Sequence, residues 1–163
     1  MNVKTLLLTK FAELLDGPLT LSKVIAIIAV AHGNQEDKGG NAYVRHCLRV
    51  MEQLDKEDDM ICGVSHDVVE DTDLTLGNLE ELGFTHGQIK VIAALTKTPG
   101  LSHEDYISGI EKSPLATEIK ILDMRDNSRL DRLKNITLTE KDMKRYQKYI
   151  HDLHRLGGLR RKA

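Results

Sequence analysis

The sequence has no tryptophan, and only 4% of its 163 residues are aromatic. Its core must therefore be assembled from Leu, Ile, Val, Ala and Met. Cysteine is almost as scarce. Cys47 and Cys62 are the only two, both lie in apolar-rich stretches, and they form no CxxC pair. That pattern points to reduced, buried thiols in place of a disulfide framework. Long apolar runs are missing as well: Val24 to Ala31 is the longest, far short of the ~20 residues a membrane span needs. The N-terminal stretch lacks the basic start, apolar core and small-residue cleavage site of a secretory signal, so a cytoplasmic protein without membrane contact is expected. Nor is there an excess of positive charge. Lys and Arg number 23 against 25 Asp and Glu, a formal net charge of -2, which gives no basis for wholesale nucleic-acid binding. The cluster Arg160-Arg161-Lys162, after Gly157-Gly158, reads as a solvated tail.

What is present is helical punctuation. No segment sustains the period-two alternation of a half-buried strand, so the chain reads as all-α. Its length suits a single domain spanning 1–163, with a core from about residue 20 to 156. Asn2 to Leu15 is amphipathic and stops at Asp16-Gly17-Pro18. Thr20 caps a helix from Leu21 to His32 whose middle is apolar on every side, as expected at the centre of a bundle. After a polar, glycine-bearing loop, helices follow from about Ala42 to Leu54 and from about Asp58 to Val69. A short helix begins at Thr75 and ends near Leu82-Gly83. Thr85 with Gln88 has capping-box spacing for a helix through Leu95. Ser102 with Asp105 marks another start, and Ser113-Pro114 places proline at a first helical turn. Thr139 with Asp142 opens the last helix, through Leu156, before Gly157-Gly158 ends it.

The chemistry concentrates in His66-Asp67-Val68-Val69-Glu70-Asp71-Thr72. At about 100° per residue, His66, Asp67, Glu70 and Asp71 share one side of a continuous helix. Buried charge needs a partner, and a divalent cation suits this mixture. Imidazole nitrogen with carboxylate oxygen fits Mn²⁺, Fe²⁺, Zn²⁺, Co²⁺ or Ni²⁺. His46 on the preceding helix and Asp123, which interrupts the core-like run Ile119 to Met124, are the further candidates. Alone, His46 would read as a core histidine and Asp123 as a charge at a helix edge. Of the other histidines, His32 suits a core or supporting role. His86, His103, His151 and His154 read as surface residues, and His151 and His154 at i,i+3 lack an evident third ligand.

These residues resemble a known pattern. Ala31-His32, Gln35, Lys38, Gly40, Tyr43 and His46, then HDVVEDT at 66–72, Thr96-Lys97, and Ile119-Lys120 with Asp123 and Asn127 are similar to the HD-domain phosphohydrolases. Within them, the match is to the hydrolase domain of the RelA/SpoT alarmone enzymes and the small alarmone hydrolases. The resemblance implies a single-domain HD-type helical bundle. It implies His46, His66, Asp67 and Asp123 as ligands of one metal ion, usually Mn²⁺. It also implies Glu70 and Asp71 as the pair that readies the attacking water. Lys38, Lys97 and Arg45 are candidates for neutralising phosphates, Asn127 for a ribose contact and Tyr43 for a pocket wall.

The chain departs from that pattern in the early loop, where Asp37-Lys38 stands in place of Arg-Lys. The family's Arg packs on the guanine; Asp cannot stack on a base. Ala42 replaces the Pro before Tyr43, and Asp126 replaces the His before Asn127. The expected activity is removal of the 3′-pyrophosphate of (p)ppGpp or a (p)ppApp-like nucleotide. The alternatives are an HD phosphatase acting on a deoxynucleotide, a nucleoside monophosphate or NADPH, and a non-catalytic nucleotide sensor. The intact HDVVED argues against the sensor, because a pure binder has no need of two extra carboxylates.

Overall fold

A computed structural model describes residues 16–132 and 138–159. The expected helix from Asn2 to Leu15 and the basic cluster at 160–162 lie outside them. The described residues form α1 (Leu21–His32), α2 (Val44–Met51), α3 (Glu57–Val64), α4 (Val68–Asp71), α5 (Leu76–Glu81), α6 (His86–Leu95), α7 (His103–Ile110), α8 (Pro114–Asn127), a 3₁₀ turn (Leu130–Arg132) and α9 (Glu140–Arg155). Among them there is no strand; Glu36 and Ala42 form an isolated bridge that closes the loop before α2.

The helix starts follow local chemistry. Thr20, Thr75, Thr85, Ser102, Ser113 and Thr139 each accept a hydrogen bond from a backbone N–H three residues on. Thr75, Thr85 and Thr139 complete capping boxes with Asn78, Gln88 and Asp142. Each cap satisfies orphan amides and stabilises its helix by about 1 kcal/mol.

Two expectations need correction. First, α1 is not buried all round: Val24, Ile27, Ile28 and His32 face inward, while Val30 is 59% exposed. Among the described residues, α1 packs against α2, α3 and α4 from one side. Second, the expected helix from Asp58 to Val69 breaks. α3 ends at Val64, Ser65 to Asp67 form a turn, and α4 restarts at Val68.

Buried side chains form two clusters. One gathers Val24, Ile28, Cys47, Ile61, Val64, Val68 and Leu79; the other gathers Val50, Leu54, Cys62, Ile107, Ile110 and Ile119. α3 serves both, with Ile61 and Val64 on one side and Cys62 on the other. Its Gly63 permits close approach to α2: an added Cβ would lie 2.5 Å from Leu54 Cδ1 and 3.4 Å from Met51 Cα. Both cysteines are buried and free.

Candidate metal centre

Three segments bring the site together. His46 comes from α2, His66 and Asp67 from the turn between α3 and α4, and Asp123 from α8. One nitrogen or oxygen from each lies within 4.8 Å of all the others. His46 Nε2 is 3.2 Å from Asp123 Oδ1 and 3.6 Å from Asp67 Oδ2. His66 Nε2 is 2.9 Å from Asp67 Oδ2 and 3.7 Å from Asp123 Oδ1.

These atoms are close, yet they do not satisfy one another. Both Nε2 atoms are buried and have no hydrogen-bond partner. The 2.9 Å approach of Asp67 to His66 therefore lacks hydrogen-bond geometry, and the donors converge on a common gap. Orphaned polar atoms in a protein interior are costly. A divalent cation would satisfy all four, and a set of two imidazoles with two carboxylates suits Mn²⁺, Fe²⁺ or Zn²⁺ chemistry. The residues present thus fit a metal ion.

The break in the helix places His66. Its Nδ1 lies 2.8 Å from Gly63 O, which holds the ring with Nε2 toward the gap. His46 Nδ1 lies 2.6 Å from Asp126 Oδ2. Burial alone lowers both imidazole pKa values, but the carboxylates outweigh it. His46 rises to about 11 through Asp123, Asp126 and Asp67, and His66 rises to about 9 through Asp67 and Asp123. Burial works against the charge of Asp67 and Asp123, yet the former is held below the usual carboxylate range by the imidazoles and the latter chiefly by Lys120. The cluster is an anionic field that demands positive charge at its centre.

Other side chains anchor this field. Lys120 Nζ binds Asp123 Oδ2 at 2.8 Å and sits over the Tyr106 ring, 5.6 Å from its centroid. The Asn127 amide donates to Asp123 Oδ1 at 2.5 Å. The Tyr43 hydroxyl reaches Asp67 Oδ2 at 2.6 Å and Asp71 Oδ2 at 3.0 Å. Burial and these two anions push its pKa up, so it stays a protonated donor. Glu70 Oε2 accepts from the Lys97 backbone N–H at 2.9 Å.

A cavity of about 420 Å³ opens above the cluster. Asp67, Glu70, Asp71 and Asp123 line it, and so do Lys38, Tyr43 and Asn127. Arg45 and Lys97 are not among its lining residues. The exposed Arg45 guanidinium meets Asn41 Oδ1 at 3.3 Å, and Lys97 contributes its backbone N–H to Glu70. Asp37 is only 8% exposed, and its Oδ1 accepts from the N–H groups of Gly39 and Asn41 at 2.8 and 3.0 Å. Its carboxylate shapes the loop. Sequence reasoning named Lys120 within a motif without giving it a role, and missed Arg129, and Arg145, Tyr146 and Tyr149 from α9; all of them line the cavity. The α9 trio could have been sought as a basic and aromatic helix face. Nothing local says that this face turns toward HDVVED.

No family model matches the chain. Among solved structures, it is similar to a metazoan ortholog of SpoT, described as hydrolysing ppGpp and playing a role in starvation responses. The TM-score is 0.71, at 22% sequence identity over 86% of each chain. The chain therefore shares the all-helical fold of that protein.

Proposed function

We propose that the chain is an HD-type, metal-dependent nucleotide phosphohydrolase, and that it removes the 3′-pyrophosphate of a (p)ppGpp- or (p)ppApp-type nucleotide. The observation that carries the proposal is the floor of the cavity. Four ligand atoms lie within 4.8 Å of each other beside two further carboxylates, Glu70 and Asp71, under a wall bearing Lys38, Lys120, Arg129 and Arg145. Six lining carboxylates against those four cations leave two negative charges in excess. A divalent cation would offset that excess, so the charge pattern supports metal-dependent binding of an anionic substrate. The similarity to a ppGpp-hydrolysing protein supports the alarmone class.

His46, His66, Asp67 and Asp123 would hold the metal, with Mn²⁺ the expected ion. When bound, it would supply Lewis-acid polarisation of a phosphoryl oxygen and acidify a water. The chain's own residues do the rest. Tyr43 fixes Asp67 and Asp71 relative to each other, and the Lys97 amide fixes Glu70. Glu70 and Asp71 orient the attacking water and accept its proton. Lys38, Arg129 and Arg145 neutralise phosphate oxygens at the cavity wall. Tyr146 and Tyr149, with ring centroids 6.3 Å apart, offer apolar faces for a base or ribose.

Base selectivity is expected to be weak, because Asp37 is occupied by its own loop and the loop presents no stacking guanidinium. The test is product analysis. Protein with Mn²⁺ is incubated with ppGpp, ppApp, deoxynucleotides, nucleoside monophosphates and NADPH, and the released phosphate or pyrophosphate is identified. Pyrophosphate from the two 3′-diphosphate nucleotides, at kcat/KM values within about tenfold of each other, is the expected outcome. Release of monophosphate from NADPH or a deoxynucleotide alone would replace this reading with the other HD phosphatase class.

A further inference from the structure

We infer that Asp126, clamped by Arg49, is a positioning residue for the metal: it holds His46 in the tautomer whose Nε2 faces the cation site. The inference rests on reading His46, His66, Asp67 and Asp123 as a metal centre.

The geometry is built from two helices in parallel fashion. His46 is followed one turn later on α2 by Arg49. Asp123 is followed one turn later on α8 by Asp126. Across the helix pair, His46 Nε2 approaches Asp123 Oδ1 at 3.2 Å and His46 Nδ1 approaches Asp126 Oδ2 at 2.6 Å. Arg49 then grips Asp126 with a fork, Nε to Oδ1 at 2.7 Å and Nη2 to Oδ2 at 3.0 Å. Asp126 is 3% exposed and His46 fully buried.

A carboxylate is an acceptor only, so a neutral His46 must carry its proton on Nδ1 to make the 2.6 Å contact. Nε2 is then left as a lone pair in the gap. A carboxylate behind a ligating imidazole also raises its basicity and so strengthens it as a donor. The bidentate Arg49 contact sets a counter-charge against Asp126 and engages both its oxygens. His66 is oriented differently, by the neutral Gly63 carbonyl, so the two imidazoles are unequal donors.

The competing explanation is that Asp126 and Arg49 merely clamp α2 to α8. A clamp needs both partners equally, whereas positioning of His46 needs Asp126 itself. Zn²⁺, which is diamagnetic, is the probe. Its affinity is measured by competition with a chelator, and the imidazole tautomers by nitrogen-15 NMR of the loaded protein. In the wild type, His46 should bind through Nε2 and show a hydrogen-bonded Nδ1–H. Asp126→Ala should weaken Zn²⁺ binding by about 10–100-fold and lose that signal, while the Nδ1–H signal of His66 persists. Asp126→Asn keeps the volume and guards against loss of fold; it should weaken Zn²⁺ in the same direction by less. Arg49→Met should lower the Tm and weaken Zn²⁺ by less than Asp126→Ala, with the Nδ1–H signal of His46 retained. Equal weakening by Arg49→Met and Asp126→Ala, with the His46 tautomer unchanged, would overturn the inference. So would wild-type affinity in both Asp126 variants while His46→Ala loses the metal. Wild-type affinity in His46→Ala would instead overturn the metal centre itself, and the inference with it.

Discussion

Asp123 joins the candidate metal ligands to the chain's own cations. Its Oδ1 faces His46 and His66, and its Oδ2 is held by Lys120. Removing the carboxylate takes away one ligand and also leaves the partly buried Lys120 without its counter-charge. Asp123→Ala should therefore lose bound metal after dialysis, as read by elemental analysis. Retention of one metal per chain in that variant would remove Asp123 from the ligand set. Glu70 and Asp71 make a different case, because neither belongs to the close ligand cluster. Glu70→Gln and Asp71→Asn keep shape and hydrogen bonding but remove the proposed base. Metal content and Tm should stay near wild type while turnover falls by about 10²–10⁴-fold, the usual worth of acid–base assistance. Full turnover in both variants would assign the water to another group. Asp126 illustrates what single residues conceal. In the sequence it is a departure from a resembled motif. Its meaning lies in partners 77 and 80 positions away, which no local spacing reveals.

At the scale of elements, the features legible in the sequence were the local ones. Thr20, Thr85, Ser102, Ser113 and Thr139 announce their helices because a cap is decided within four residues. The turn at Ser65–Asp67 was not legible, since the polar side of HDVVED fits a continuous helix equally well. At the break the His66 ring takes the Gly63 carbonyl, a local contact, while the close approach of α3 to α2 at Gly63 is tertiary and has no local signature. The role of α9 was hidden for the same reason, because only packing turns Arg145, Tyr146 and Tyr149 toward the cavity. Gly63 gives a test at this scale. Gly63→Ala forces the Leu54 side chain aside, with the Met51 backbone at contact distance, and overpacking of this kind costs about 1–3 kcal/mol. Denaturant unfolding should register that loss. Leu54→Val in the same chain should recover part of it, since the two changes share one contact and are not additive. Strict additivity of the two losses would show that the Leu54 contact is not what makes Gly63 necessary.

For the whole molecule, the proposed metal centre couples folding to pH. No helix among the described residues is long and apolar enough to cross a membrane, and the two apolar clusters supply the core on which the buried site sits. In the metal-free protein, His46 and His66 have pKa values raised to about 11 and about 9, against an ordinary value near 6.5. A group whose folded pKa is raised stabilises the fold fully below its unfolded value. That contribution is lost as pH rises through the folded value. The metal-free protein should therefore lose stability progressively from neutral pH to about pH 11, as the two protons that balance Asp67 and Asp123 leave. A bound cation replaces those protons, so the loaded protein should not share the decline. Binding also stabilises by mass action, about 2.7 kcal/mol at a free metal concentration of 100 Kd. Two measurable outcomes follow. The Tm difference between Zn²⁺-loaded and chelator-treated protein should widen between pH 7 and pH 9. Calorimetric titrations at pH 7 in buffers of different ionisation enthalpy should register proton release on metal binding, because both imidazoles begin protonated. A Tm difference that stays flat with pH, together with no released protons, would mean that the imidazoles enter the site neutral and that the carboxylates alone carry the charge of the metal-free centre.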